Sequence, residues 1–302
     1  MHRTQTLLIL SLTLAASFTA SPAAPLVKFS GESALAYTGK VVAFGPRPVG
    51  SDGHVRTQQF ITAQLKAVGC RAVEELVWTA QTPVGAKPMK NILARIGAGK
   101  PTARPVVITG HYDTKLMPGT TFLGANDGGS STGLLLELAR VLCAVPPAND
   151  VWLVWLDGEE ATRQMWAGED NLYGSRWLSK KWAADGTAKR IKALINVDMI
   201  GDRDLNILGD LNSSNQLREL FFQSARELDY GRYLTGGQGA IEDDHIPFAQ
   251  AGIPALDIID FDYGPGNSYW HTDRDTLDKL GARSFQVVGD SLLRMLNKLG
   301  GM

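Results

Sequence analysis

Two adjacent glutamates, Glu159 and Glu160, follow an unbroken apolar run, Val151–Leu156, after only Asp157 and Gly158. The run predicts a buried strand of the parallel type, because such strands are apolar on both faces. Open α/β sheets bind their ligands at the carboxyl ends of such strands. Neighbouring glutamates repel each other and lose solvation there, so they need a cation or a shared proton. The alternative is a solvated acidic turn.

Four further residues lie in similar contexts, at or just beyond the ends of apolar runs: His111, Asp127, Asp198 and His271. This repetition favours a common site over a solvated turn. Nitrogen and carboxylate donors together suit a hard-to-borderline cation, and zinc fits best. The ligands are far apart in the sequence, so the prediction depends on the whole set and not on a compact finger-type motif.

Two of the acidic residues have simpler alternative roles. Asp127 precedes a helical pattern, where an N-cap would stabilise the helix by about 1 kcal/mol; the other ligand-type residues favour metal binding instead. Asp113 follows His111 by two positions and is expected to orient its imidazole ring.

The elements that position these residues alternate between strands and helices, which predicts an α/β fold. Strands are predicted over Arg71–Thr79 and Lys90–Ile96, joined by a loop over PVGAKP. Others are predicted in the runs directly before His111 and Asp157, in the run that ends in Asp198, and over Ile253–Phe261. Helices are predicted over Gly31–Phe44, His54–Val68, Leu134–Leu142, Leu172–Ala184, Ser213–Leu228 and Thr276–Leu299, and a short strand over Asn206–Asp210.

The composition fits one large domain with a substantial core, since the chain has 302 residues of which 44% are hydrophobic. The formal net charge is −1 and no Lys/Arg cluster stands out. Nucleic acid is therefore not an expected partner. The function must come from a local site.

Residues 1–24 are predicted to be a secretory signal peptide. His2 and Arg3 precede the apolar run LLILSLTLAA, which is too short for a membrane span, and small residues follow it. The mature chain, 25–302, is expected to be a single catalytic domain that is exported, periplasmic or secreted, and has no membrane span. Its two cysteines, Cys70 and Cys143, are either one disulfide or two buried thiols.

Seven blocks of sequence carry a resemblance to a known family: HYDTK, GANDGGSS, LDGEEA, NLYGSRWL, NVDMIG, EDDHIPF and YWHTDRDTLD. In wording and order they resemble the zinc-dependent aminopeptidase superfamily, family M28. Within it they are most similar to the animal-type glutaminyl-peptide cyclotransferases. The resemblance covers nearly all of the mature chain and implies a three-layer α/β/α sandwich around a mixed, mainly parallel sheet.

The resemblance also implies a role for each matching residue. It makes Asp127, Glu160 and His271 the zinc ligands and Glu159 the general acid/base. It makes Asp198 and Asp243 hydrogen-bonded acids near the substrate, and it places Trp270 and Trp166 in the substrate pocket. The expected partners are peptides or proteins that begin with glutamine.

Two alternatives remain open. His111, Asp127 and Asp198 are the residue types that hold a second zinc in two-metal aminopeptidases, so one zinc ion is expected and a second is permitted. The first alternative function is an M28-type zinc aminopeptidase that releases amino-terminal residues; the cyclotransferase is favoured over it by DGEEA with LYGSR, by DDHIPF and by the tryptophan before His271. A non-catalytic, exported peptide-binding domain is the third possibility. One departure is Gly110, where vertebrate cyclotransferases tend to have a disulfide cysteine.

Overall fold

The computed structural model describes residues 27–97, 99 and 104–300, so the predicted signal peptide 1–24 lies outside the described residues. The main sheet has six strands: β1 Ala72–Thr82, β2 Gly85–Ile96, β3 Val106–His111, β4 Val151–Leu156, β5 Ala193–Asp198 and β8 Ala255–Ile259. Their order in the sheet is β1-β2-β4-β3-β5-β8. Two short strands, β6 Gly209–Asp210 and β7 Gln238–Gly239, pair beside it.

The sheet is mixed and mainly parallel, as expected. Strands β4, β3, β5 and β8 pair in parallel, whereas β1 and β2 are antiparallel additions at one edge. Every residue of β3 and β4 is buried, whereas Ala80 is the one buried residue of β1. The continuous apolar runs in the sequence correspond to the strands that are covered on both faces.

Helices cover both faces of the sheet and complete three layers. One apolar cluster packs residues of five helices against the sheet, and a second packs Leu178, Trp182 and Phe248 against the opposite face. The first group is α1 Gly31–Val42, α2 Asp52–Ala67, α3 Gly129–Ala144, α5 Asn215–Arg226 and α7 Ala282–Lys298; the second is α4 Tyr173–Ala184 and α6 His245–Gln250. No helix in these described stretches is both long enough and apolar enough to cross a membrane.

Several predicted elements differ in extent; α3, for example, begins at Gly129 and not at Leu134. PVGAKP is not a loop, because β1 and β2 form a hairpin joined only by residues 83–84. The last helix does not begin at Thr276; a single 3₁₀ turn, Leu277–Lys279, precedes α7. The short strand predicted over Asn206–Asp210 is limited to β6. Local periodicity could not locate these boundaries, which depend on pairing and packing.

The strand order creates a crevice at the carboxyl ends of the parallel strands. From β3 the chain continues to β4 on one side, and it later places β5 on the other side. This reversal is the position where open α/β sheets bind ligands. Strand β3 ends at His111 and β5 ends at Asp198, while β4 leads directly into Asp157 and the two glutamates. The predicted site residues therefore meet at one edge of the sheet.

A disulfide between Cys70 and Cys143 joins the segment after α2 to the end of α3. This settles the alternative that the sequence left open in favour of pairing.

Candidate functional site

The three predicted zinc ligands converge in the crevice. Nε2 of His271 lies 3.2 Å from Asp127 Oδ2 and 2.9 Å from Glu160 Oε1. One donor atom from each of these residues falls within 4.8 Å of the other two. Asp127 and Glu160 are buried, and His271 is partly buried. Residues from three distant parts of the chain thus form one potential metal site.

A second potential metal site shares Asp127. Nε2 of His111 lies 3.2 Å from the other oxygen of this carboxylate, Oδ1, and 3.1 Å from Asp198 Oδ1. Asp198 and His111 are the final residues of their strands, so parallel pairing brings them together. The carboxylate of Asp127 therefore faces a histidine on each side, which is the arrangement of a bridging ligand between two cations.

The donor atoms fit a divalent cation of the zinc type. Nitrogen and carboxylate oxygen are the ligands that zinc accepts in catalytic sites. Asp127 Oδ2 and His111 Nδ1 are buried and form no hydrogen bond within the described structure. Buried polar atoms without hydrogen bonds are rare and call for an ion or water. The first group, Asp127, Glu160 and His271, is suited to hold zinc, and His111 with Asp198 is suited to complete a second site.

Asp127 is held in place through its backbone. Asp275 accepts the backbone N–H of Asn126 at 2.8 Å and that of Asp127 at 3.2 Å, and Tyr263 donates its hydroxyl to the same carboxylate at 2.7 Å. The N-cap of α3 is Gly128, so Asp127 is not a capping residue. The N-cap alternative is therefore wrong, and the Asp127 carboxylate is free to face the crevice.

Arg47 supports the segment that leads to Asp127. Its buried guanidinium donates to the carbonyls of Tyr112, Leu123 and Gly124 at 2.6–2.9 Å. Burial lowers the pKa of Arg47 to about 10, and Asp275 is the first of the carboxylates that oppose this effect. The side chain stays charged at neutral pH and fixes the loop between β3 and α3.

The two glutamates are held in the same way by Asp113. Its carboxylate accepts the backbone N–H of Glu159 at 3.1 Å and that of Glu160 at 3.3 Å. Its contact with the His111 ring is longer, 3.5 Å from Nδ1 to Oδ1. Asp113 therefore mainly positions the two glutamates through its hydrogen bonds. Its contact with the His111 ring, which was predicted to orient that ring, is the minor one.

Two residues at the site have strained backbone conformations. His271 and Met199 adopt left-handed conformations with φ of 51° and 47°. Met199 directly follows Asp198 and donates its N–H to Asp198 Oδ1 at 2.8 Å. Such conformations cost about 1–3 kcal/mol for residues other than glycine and persist where surrounding contacts enforce them, often at functional sites.

The electrostatics of the site raise the pKa of Glu159. Burial raises the pKa of Glu159 well above its usual value; His111 opposes this, while Glu160 and Asp243 add to it. For His271, burial lowers the pKa, but the carboxylates of Asp127 and Glu160 outweigh it and bring the pKa to about 9. Glu159 thus has the elevated pKa that general acid/base catalysis requires.

A cavity of about 460 Å³ opens onto these residues. Trp270 stacks on His271 with ring centroids 4.1 Å apart, and Phe261 packs against Trp270 edge-on at 5.1 Å. Trp270 is 36% exposed and faces the cavity, and Trp166 also lines it. The lining residues include Glu159, Glu160, Asp127, His271, Asp198 and Asp243. All predicted site residues except His111 therefore border one cavity, and His111 lies behind it.

Asp243 is buried at the edge of this cavity. Its Oδ2 accepts a hydrogen bond from Asn196 at 2.9 Å, and its Oδ1 accepts the backbone N–H of Asp244. Burial raises the pKa of Asp243 to about 7, with the nearby charge of Asp198 as the second cause.

Lys115 is a cavity residue to which the sequence analysis gave no role. It is only 7% exposed, and its Nζ lies 3.4 Å from Glu160 Oε2. A lysine four positions after the strand-terminal His111 was the available signal. Arg47 and Asp275 were also missed, because both act on backbone groups far away in the sequence.

At Gly110 the structure has no room for a side chain. A Cβ there would come within 2.6 Å of Ser131 Cβ and 2.9 Å of the Val197 carbonyl. Gly110 therefore allows β3 to pack closely on α3, and a cysteine side chain would not fit at this position.

Comparisons with known proteins agree with this geometry. The model of peptidase family M28 matches residues 91–296. A glutaminyl-peptide cyclotransferase of Drosophila melanogaster is 32% identical over 256 residues, which cover 76% of this chain and 70% of that protein.

Two solved structures are also similar to this chain. The crystal structure of an Acidobacteriales bacterium glutaminyl cyclase is 42% identical, with a TM-score of 0.86 over 94% of this chain and 99% of that one. A leucine aminopeptidase precursor from Bacteroides thetaiotaomicron is 25% identical, with a TM-score of 0.78 over 89% and 97%.

Proposed function

We propose a reaction for this chain, which belongs to peptidase family M28. It converts the amino-terminal glutamine of peptides or proteins into pyroglutamate and releases ammonia. The observation that carries this proposal is the aromatic wall of Trp270 and Phe261 beside His271. A flat wall next to the metal ligands suits a compact, folded glutaminyl side chain. The names of the relatives from Drosophila and Acidobacteriales support the same reaction. The similarity to the Drosophila protein is the support for an animal-type cyclotransferase.

Asp127, Glu160 and His271 would hold a zinc ion, which supplies a Lewis acid for the side-chain amide carbonyl of the substrate. The protein's own part is to fix the folded conformer in which the α-amine faces that carbonyl. Trp270 packs against the glutaminyl side chain, and the cavity limits its other conformers. Asp198 and Asp243 are the acids available to bind the substrate's nitrogen groups.

Glu159 moves the proton. The α-amine nitrogen forms a bond to the amide carbon, and the bond from that carbon to the amide nitrogen breaks. Glu159 takes the proton that the amine loses and gives it to the departing nitrogen, which leaves as ammonia. The raised pKa of Glu159 makes it a stronger base than an ordinary glutamate, which suits a group that first accepts and then returns a proton.

A second candidate function is release of amino-terminal residues by hydrolysis. It is favoured by the second group, His111, Asp127 and Asp198, and it has the same base, Glu159, with water as the nucleophile. The structural relative named a leucine aminopeptidase precursor supports it. The count of bound zinc ions separates a one-metal from a two-metal site.

We also propose that the protein is exported and acts on peptides outside the cytoplasm. The predicted signal peptide, 1–24, and the Cys70–Cys143 disulfide support an oxidising compartment. Amino-terminal sequencing of the protein expressed with its full leader tests this. An intact Met1 on protein recovered only from the cytoplasm contradicts export.

The test of the reaction uses two peptides that differ only in their first residue, glutamine or leucine. Mass spectrometry is expected to show loss of one ammonia from the first peptide and no change in the second. Removal of a whole residue from either peptide would replace the cyclotransferase by the aminopeptidase.

A further inference from the structure

Three buried polar side chains form a row across the sheet beneath the cavity. Thr109 on β3 is opposite Asn196 on β5, which is opposite Asp257 on β8. None is more than 2% exposed. Two positions earlier on the same strands and face, Val107 and Leu194 belong to the apolar cluster against α4 and α6. Polar groups in such a layer are costly unless they are hydrogen-bonded, so the row requires a reason other than packing.

The amide of Asn196 is fully engaged. Its Oδ1 accepts the Thr109 hydroxyl at 2.8 Å, and its Nδ2 donates to Asp243 Oδ2 at 2.9 Å and to Asp257 Oδ1 at 3.1 Å. The amide nitrogen faces the two acids, and an oxygen atom of each carboxyl group accepts one of its hydrogen bonds. The amide oxygen must then face Thr109, whose hydroxyl fixes the orientation of the group.

Asn196 reaches the cavity through Asp243, which borders it. The second oxygen of this carboxyl group, Oδ1, is held by the backbone N–H of Asp244. The backbone of its own loop therefore positions one oxygen of Asp243, and Asn196 on β5 positions the other. Without Asn196 the carboxyl group loses the donor that ties it to the sheet.

We propose that Asn196 is a positioning residue for the reaction, because it orients the Asp243 carboxyl group while Thr109 sets the direction of the Asn196 amide. This inference rests on the proposed function, in which Asp243 binds the substrate. A purely structural tie between β5 and β8 is the competing explanation. It predicts a loss of stability without a selective loss of turnover.

The test compares substitutions along the row with the Gln-peptide as substrate. In Asn196→Leu, kcat is expected to fall about 10- to 100-fold, because a buried hydrogen bond to Asp243 is lost and the acid is misplaced. KM is expected to rise as well, because Asp243 borders the cavity and binds the substrate, whereas a purely structural tie predicts no change in either constant. Thr109→Val is expected to show a smaller fall in kcat, and Thr109→Ser, which keeps the hydroxyl, near-normal turnover.

The matched control is Ser291→Ala on α7, which removes a buried hydroxyl that donates to the Val287 carbonyl. It is expected to keep kcat even if the melting temperature falls. Zinc content is measured for every variant, so that loss of metal is not mistaken for loss of positioning.

Unchanged kcat in a folded Asn196→Leu protein would overturn the inference and leave only the structural tie. If that variant does not fold, the Thr109 pair decides: equal kcat in Thr109→Val and Thr109→Ser also overturns it. If the unmodified protein hydrolyses peptides instead of cyclising them, the proposed function fails separately. The same kcat ratios, measured with the hydrolysed peptide, then test Asn196.

Discussion

The Oε1 atom of Glu160 lies 2.9 Å from Nε2 of His271, although 111 positions separate the two residues in the chain. Together with Asp127 they are expected to bind zinc. Purified His271→Ala is predicted to lose most of its zinc, because the imidazole nitrogen that serves as one of the three ligands is gone. Elemental analysis of this variant and of the unmodified protein provides the measurement. A full zinc content in His271→Ala would remove His271 from the ligand set.

Glu159→Gln keeps the shape of the side chain but cannot carry a proton. Turnover of a Gln-peptide is predicted to fall on the order of 10²-fold or more, the usual scale for losing a positioned acid/base group. Zinc content is expected to remain, since Glu160 is still present. Ammonia release and metal analysis on the same preparation check both parts. Near-normal turnover would show that another group transfers the proton.

The sequence predicted the strands of the crevice well, because apolar runs that end in a carboxylate or histidine are a local pattern. Asp198 and His111 could be placed together because each terminates a buried strand in a predicted parallel sheet. The supporting contacts were not predictable in this way. Asp275 binds the backbone of Asp127 from 148 positions away, and its sequence context indicates only a polar loop. Arg47 and Lys115 are likewise defined by what surrounds them in space.

Removal of the Cys70–Cys143 disulfide is predicted to lower the free energy of unfolding. The two residues are separated by 73 positions. A loop of this size corresponds to about 4 kcal/mol of lost chain entropy in the unfolded state, within a usual range of about 2–5 kcal/mol. Denaturant unfolding of the double variant Cys70→Ala, Cys143→Ala measures the change. A reducing agent should lower the stability of the unmodified protein and leave the variant unaffected; equal stability of the two proteins would contradict the prediction.

The buried pair of His54 and Asp157 is predicted to make stability depend on pH. Their Nε2 and Oδ1 atoms are 2.7 Å apart. Burial lowers the pKa of His54, but Asp157 outweighs it, and the net pKa is raised. A raised pKa in the folded state contributes stability that is complete below the unfolded value of about 6.5 and is lost as the pH rises through the folded value.

His54→Gln should therefore destabilise the protein more at about pH 6 than at about pH 9. Thermal unfolding of metal-depleted protein at both pH values measures this without the contribution of bound zinc. A loss that is larger at the higher pH would mean that the ring is buried in its neutral form.

Trp270 distinguishes the proposed reaction from simple metal binding. Its indole stacks on His271 but supplies no ligand atom, so Trp270→Ala should retain zinc. The value of kcat/KM for a Gln-peptide is predicted to fall about tenfold, which corresponds to roughly 1.4 kcal/mol of lost aromatic contact. Trp177→Ala is the matched control, because Trp177 also belongs to a stacked pair, with Trp78 at 4.7 Å, but does not line the cavity. Equal kcat/KM in the two variants would mean that the wall does not contact the substrate, and the observation on which the cyclotransferase proposal rests would be lost.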